Sequence, residues 1–397
     1  MRKGVELQVN TTVQVSVELD LRTNAEQVTV TSQADLVQAT STTLVQVVDQ
    51  RRVQDLPLNG RNVLQLMTLN AGVTTDSAGG GTGQIQNMGG AVTASINGSR
   101  GNGTNFLLDN GDHNDSYVNI ALPFPNPDAV QEFSIQASTF DAQYGRGIGG
   151  VVNVVTKSGT NTFHGSLFEY LRNYQMNAAN FFSGRDTLRR NQFGGSFGGP
   201  VTLPGYSGKD RTFFFLGYQG TRVRTSTPAA LRNTPTDAMK RGDFSEWLRP
   251  NGQGTILDPL NPTQAFPGNI IPASRFSPVA VNMLKLMPSS TAASNYQIRI
   301  PTPTRADRDD QVVVRGDHQF TSSQRISGRY FRFNTVSPWT FEPGNLYFFQ
   351  AGQDALAQNA SMNYTNVLSP KMINDFTFTY NRAASNSFPP EQLQDYT

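Results

Sequence analysis

Residues 357–367 read AQNASMNYTNV and residues 375–381 read DFTFTYN, and in both the side-chain character switches at almost every position. Ala360, Met362 and Tyr364 share one parity; Asn359, Ser361, Asn363 and Thr365 take the other. Phe376, Phe378 and Tyr380 likewise oppose Asp375, Thr377, Thr379 and Asn381. Successive side chains of a strand point to opposite faces, so the pattern predicts strands with one apolar and one polar face. Residues 311–320 repeat it, with Val312, Val314 and Phe320 against Gln311, Arg315, Asp317 and Gln319. Three earlier segments, 162–172, 191–201 and 211–224, alternate less cleanly but are rich in aromatics and glycine.

The connections between these segments alternate in length. Residues 173–190, 225–307 and 336–355 are long; 202–210, 321–324 and 368–371 are short. A transmembrane barrel with long outer loops and short periplasmic turns sorts its connections this way, whereas a soluble sandwich has no reason to. Tyr170, Tyr330, Phe331, Tyr347, Phe348 and Tyr364 are then expected in aromatic girdles at the membrane interfaces. Arg315, Asp317, Arg325 and Arg329 are expected to line a polar interior or reach a central domain.

Composition agrees. Charged residues make up 16% of the 397, against about 25% in an ordinary soluble domain. Asn, Gln, Ser, Thr and Gly take their place, with 36 Gly and 25 Phe. No apolar run approaches the roughly 20 residues a spanning helix needs. There is no cysteine, which excludes a disulfide scaffold and a Cys-type zinc site. Basic and acidic residues nearly balance, 32 to 30, with no basic block, so nucleic acid is not an expected partner. His113, His164 and His318 lie far apart without an HExxH arrangement, and no GxSxG is present, so no enzyme chemistry is expected. Asp109, Asp112, His113 and Asp115 cluster in sequence but lack the spacing and glycine of a calcium loop. No metal or cofactor is expected.

The first half reads differently. Arg2 and Lys3 have no apolar core behind them, unlike a secretory signal. Residues 5–21 alternate as a strand or hairpin with one buried face, too little for a domain, and read as the tail of a β-sandwich. The polar residues 388–397 close no element, so both ends read as cuts through larger structures. Between them, 45–56 is expected to be helical, and LPLNGRN (56–62) to turn into a helix over 63–69 capped by Asn59 or Asn62. Residues 76–90 form a glycine-rich loop, best read as a linker. Short strands are expected at 93–97, 105–109, 132–136 and 150–156.

Three stretches carry a family resemblance. Residues 128–159, DAVQEFSIQASTFDAQYGRGIGGVVNVVTKSG, resemble the end of the plug domain of TonB-dependent outer-membrane receptors. Tyr144, Gly145, Gly149, Gly150, Val151, Asn153, Thr156 and Lys157 fit its closing Tyr-Gly turn and strand. Residues 95–115, SINGSRGNGTNFLLDNGDHND, resemble the plug's central segment through Asn97, Gly98, Arg100, Leu108 and Asp109. The LPLNGRN stretch, with FHGSLFEYLRN and RTFFFLGYQG further on, is similar to the Oar-like branch of that family.

The resemblance implies an α+β plug domain followed by an incomplete antiparallel transmembrane β-barrel, with the remnant of a β-sandwich at the N-terminus. Its parts are 1–31 (the end of a carboxypeptidase-regulatory-like sandwich and a TonB-box-like strand), 32–159 (plug) and 160–397 (first part of the barrel). The long outer loop 225–307 resembles a structured lid. About seven strands are present where plugged transporters of this kind have roughly 22. The resemblance further implies an outer-membrane location and uptake of a scarce nutrient such as a siderophore, oligosaccharide or peptide. Its partners would be a small or oligomeric extracellular ligand, outer-membrane lipid and a TonB-type energy-transducing protein in the periplasm. The TonB-box candidate is Glu26, Gln27, Val28, Thr29 and Val30, which could add to a partner's sheet edge or simply close the preceding sandwich. The competing class is a soluble or cell-surface β-rich binding or adhesion protein.

Overall fold

The computed structural model describes residues 45–76, 93–117, 119–137, 140, 144–145, 147–179, 181, 185–226, 230–248, 253–300, 304–338, 340–341, 347, 349–350 and 352–388. The alternating residues 5–21, the TonB-box candidate 26–30 and the glycine-rich loop 79–90 lie outside them.

The α+β part is built on a five-stranded sheet. Its strands are β1 (Val45–Asp49), β2 (Thr104–Leu108), β3 (Gly111–Asp112), β4 (Val130–Gln136) and β5 (Gly150–Thr156), in the order β1-β4-β5-β2-β3. β2 and β5 run parallel; the other pairs are antiparallel. The expected helix over 45–56 is therefore half wrong. Val45, Val47 and Val48 are β-branched and pair with Gln136, Ser134 and Phe133 as a strand. Helix α1 (Gln50–Asp55) starts only after Asp49, whose carboxylate caps it by accepting from the Arg52 N–H at 2.9 Å. Residues 63–69 form a 3-10 helix rather than an α-helix, capped by the Asn62 side chain on Leu64 N.

Two turns set the geometry. In Ile96-Asn97-Gly98-Ser99 the central residues have φ of +52° and +76°, and Ser99 N donates to Ile96 O at 3.0 Å. That is a type I′ turn, for which Asn-Gly is the preferred pair. At Leu108-Asp109-Asn110-Gly111 both central residues again have positive φ, +50° and +63°. Asp and Asn tolerate this region better than other side chains, and the turn carries Asp109 out at the tip of the β2–β3 hairpin. Gly150 is needed for close approach: a Cβ there would meet Gln136 O and Ile96 Cδ1, both at 2.7 Å.

The second part is a seven-stranded antiparallel meander. Its strands are β6 (His164–Asn173), β7 (Arg189–Pro200), β8 (Thr212–Thr225), β9 (Arg305–Thr321), β10 (Gln324–Ser337), β11 (Gly352–Ser369) and β12 (Met372–Phe388). The sheet is open, with β6 and β12 as its edges, and so makes part of a barrel wall. Its registers place the parities as the sequence predicts. Val313, Arg315, Asp317, Arg329, Ala357, Asn359 and Ser361 face inward, while Val312, Val314, Tyr330, Met362, Phe376, Phe378 and Tyr380 face outward. Phe163, Phe197 and Phe214 form an outward aromatic group beside the short turn after β7, with ring centroids 5.6–6.4 Å apart.

The girdle expectation fails at three residues. Phe331 is fully buried and faces inward, its ring 5.9 Å from that of His113. Alternation could not choose between Tyr330 and Phe331, because both neighbours are aromatic. Tyr170 also turns inward, stacking under the Arg61 guanidinium at 4.5 Å. Tyr347 lies in a long connection, where its hydroxyl donates to Asn233 O at 3.0 Å. Phe348 lies outside the described residues.

One hydrophobic core serves both parts. Phe106, Leu108, Leu122, Phe124, Phe133, Val152 and Val154 of the α+β domain cluster with Phe215, Val313, Phe331, Phe333, Ala355 and Ala357 of the sheet. The small domain thus packs on the concave inner face, and the apolar area removed from water holds it there. The connection between β8 and β9 is folded, as a structured lid would be. It contains two two-stranded sheets (Ala230–Asn233 with Gln297–Ile300, Leu257–Asp258 with Asn261–Ala265) and helices α2 (Asp237–Lys240) and α3 (Pro278–Lys285).

Candidate functional site at the domain interface

Two polar clusters join the central domain to the wall. The first gathers around Asp109. The Leu108–Gly111 turn aims its carboxylate at the wall, where Asp109 is 7% exposed. Oδ1 accepts from Thr156 N at 2.8 Å and from Arg315 Nη1 at 3.2 Å; Oδ2 accepts from Arg329 Nε at 2.6 Å. Thr156 Oγ1 also donates to this carboxylate, 2.9 Å from Oδ2. Arg329, 5% exposed, further donates to Asn359 Oδ1 at 2.5 Å and to Leu108 O at 3.2 Å. Arg315 extends the network by a two-point contact with Asp317 (2.9 and 3.0 Å), and Asp317 also takes Arg325 (2.7 Å) and Ser158 (2.7 Å). Two carboxylates face three guanidiniums, so each buried charge has an opposite partner, as burial demands.

Amides of the wall reach the hairpin backbone beside this cluster. Asn359 Nδ2 donates to Asp112 O at 2.9 Å, Asn363 Nδ2 to Asp109 O at 3.3 Å, and Asn381 Nδ2 to Asn114 O at 2.8 Å. Alternation had placed these three residues on the polar faces of their strands, but nothing in the sequence assigned them to the plug backbone. In this segment Asp109 is committed to two arginines, and His113 is buried with its Nε2 2.9 Å from Pro123 O. Burial pushes the His113 imidazole down to about 3, reinforced by Arg329 and opposed by the Pro123 hydrogen bond and Asp109.

The motif residues of the central domain all lie within its framework. Asn153 exchanges two hydrogen bonds with Asn110, at 2.7 and 3.2 Å. Gly149 N donates to Gly103 O at 2.9 Å, and Gly145 O accepts from Asn105 Nδ2 at 3.3 Å. Tyr144 is half-buried next to Gly145, and Val151 is buried in β5. Lys157 N donates to Ala129 O, while burial holds its ammonium below the usual lysine range against the pull of Asp128. Asn97 and Gly98 make their turn at the surface, where Asn97 Nδ2 donates to Ala137 O at 2.6 Å, and Arg100 is exposed. Leu108 is buried in the core.

The second cluster belongs to LPLNGRN and lies at the long-loop end of the wall. Arg61 pairs with Asp128, donates to Gln219 Oε1 at 3.2 Å, and lies over the Phe168 ring at 4.3 Å. Asn59 Oδ1 accepts from Arg172 and Arg190 at 3.4 and 3.3 Å, and Gly60 O accepts from Gln192 Nε2 at 3.0 Å. A polar cavity of about 220 Å³ remains here, lined among others by Asn59, Arg61, Arg190, Gln192, Asp309 and Gln311. Gln311 Oε1 is buried in it without a partner among the described residues.

An antiparallel wall with aromatics outside, amides and guanidiniums inside, and a small α+β domain locked to its inner face defines a plugged outer-membrane barrel. The chain belongs to the outer membrane β-barrel domain family, which residues 155–397 match, and its place is the outer membrane. It is related to the TonB-dependent transporter Oar of Myxococcus xanthus, 28% identical over 276 residues, which cover 65% of this chain and 24% of Oar. The chain thus spans about a quarter of the length of that relative. Among solved structures it aligns with the siderophore receptor PirA of Pseudomonas aeruginosa (14% identity, 86% of this chain, 41% of that one, TM-score 0.46). It also aligns with the outer membrane transporter YddB of Escherichia coli (11% identity, 85% and 38%, TM-score 0.49).

Proposed function

We propose that the chain is the plug and leading barrel segment of an energy-coupled importer that takes up a scarce nutrient across the outer membrane. The observation that carries this reading is the Asp109–Arg315–Arg329 network. A permanent core needs no such charges, since apolar residues of similar volume hold a fold as well or better. A plug that must be displaced benefits from contacts whose loss water can compensate, and the amide contacts beside the network share that property. On this reading ligand arrives at the long-loop end, near Arg61 and Gln192, and a TonB-type protein pulls from the other end. The pulling strand is Glu26-Gln27-Val28-Thr29-Val30, added to the partner's sheet edge through main-chain hydrogen bonds.

The reading is tested by placing a photo-crosslinking residue at Val28 in cells that hold the protein in its outer membrane. Crosslinking to the TonB-type protein, abolished by Thr29→Pro, is expected. A protein that gives no crosslink at any position from 26 to 30 does not couple through this segment.

A further inference from the structure

The connection between β8 and β9 borders an open cavity of about 430 Å³ that the interface clusters do not use. Its wall includes Thr234, Met239, Phe244, Trp247, Asn295 and Gln297, and among the described residues no charged side chain lines it. That size is ordinary for a small-molecule site, as is a mostly apolar lining with a few polar groups. We infer that this cavity is a binding site for a neutral saccharide, presented on the outer lid and separate from the plug.

Thr234 is 4% exposed, and its Oγ1 has no hydrogen-bond partner among the described residues. A buried hydroxyl left unpaired costs free energy, and a rotation of the Thr234 side chain toward a ligand hydroxyl would recover it. Trp247 is 42% exposed at the cavity, braced edge-on against the Tyr296 ring at 4.6 Å. Tyr296 is itself pinned, its hydroxyl donating to Glu246 O at 2.9 Å. The indole is thus held rather than mobile, and a large rigid aromatic of this kind suits the C–H face of a sugar ring. The side-chain amides of Asn295 and Gln297 supply donors and acceptors for hydroxyls at the rim. Among the described residues no Arg or Lys faces the cavity to neutralise an anionic ligand.

The cavity is built by the fold and needs no ligand to form it. Asn269, buried at the centre of the lid, accepts from Ile256 N at 2.7 Å and donates to Phe244 O at 2.8 Å and Gly254 O at 3.0 Å. Asn295 and Tyr296 both hold positive φ, +53° and +59°, a conformation uncommon for a tyrosine, which sets the aromatic pair in place. The Tyr347 hydroxyl, from the next long connection, donates to Asn233 O and so tethers a second loop to a residue of this wall.

The test uses the full chain in detergent with Trp339, the other tryptophan, changed to Phe, so that Trp247 alone reports. Maltopentaose, cellopentaose and chitopentaose are the neutral probes, trigalacturonate the anionic one and tetra-alanine the peptide one. Saturable change of Trp247 fluorescence with at least one neutral oligosaccharide is expected, with none for trigalacturonate. Thr234→Val keeps the shape and removes the hydroxyl, and is expected to weaken binding about tenfold. Unaltered affinity in Thr234→Val, a response confined to trigalacturonate or tetra-alanine, or no response to any probe overturns the inference. The measurement involves neither transport nor energy coupling, so its failure leaves the import reading intact and the reverse also holds.

Discussion

Asp109 and Arg329 are 220 residues apart in sequence and 2.6 Å apart in space, a carboxylate of the plug hairpin against a guanidinium of the wall. Both are almost fully buried, so each is the other's principal compensation for leaving water. Asp109→Asn leaves Arg329 and Arg315 facing one another without that anion. A loss of plug seating of about 3–5 kcal/mol is expected, the usual cost of orphaning one member of a buried ion pair. Hydrogen exchange of residues 104–115 reads it directly. The double variant Asp109→Asn/Arg329→Gln should cost less than the sum of the single changes; strict additivity would mean that the pair is not coupled.

Acid is expected to loosen the same hairpin through His113. The folded imidazole stays neutral down to about 3, whereas in the unfolded chain it protonates near 6.5. Between those values the unfolded state binds more protons, so stability falls as pH drops from 6.5 towards 3 and is unaffected by this group above 6.5. Melting of the purified protein followed from neutral pH to about pH 4 should show the decline. His113→Phe, set between Phe124 and Phe331, should flatten it, and an unchanged profile would assign the acid sensitivity elsewhere.

Phe331 and Tyr330 are neighbours with opposite duties. Phe331→Ala empties a fully buried position under the plug and should cost about 3–5 kcal/mol. Tyr330→Ala alters an outward position and should leave plug protection from protease nearly unchanged. Equal effects of the two would contradict the inward placement of Phe331.

The seven-stranded sheet has two open edges, β6 and β12. Unpaired strand edges are not tolerated in hydrocarbon. The 397-residue chain by itself is therefore expected to form no closed pore in planar bilayers, and stepwise single-channel currents would refute this.

The barrel strands were legible because alternation is a local property that lipid on one side and polar groups on the other impose at every second residue. The same logic explains the low charge and the abundance of amides: Asn359, Asn363 and Asn381 spend theirs on plug backbone. That Asp109 is a motif residue was legible through the resemblance of residues 95–115, although its turn falls where a strand over 105–109 was expected. What Asp109 touches was not, because Arg315 and Arg329 come within reach only when the plug seats on the wall. Tertiary structure likewise decided that Val45–Asp49 is a strand, by offering β4 as a partner, and that Tyr170 and Phe331 face the plug rather than lipid. Local sequence determined which chain segments are strands and which side chains share a face. Which face meets which neighbour depended on contacts between residues far apart in the chain, and no local pattern encodes those.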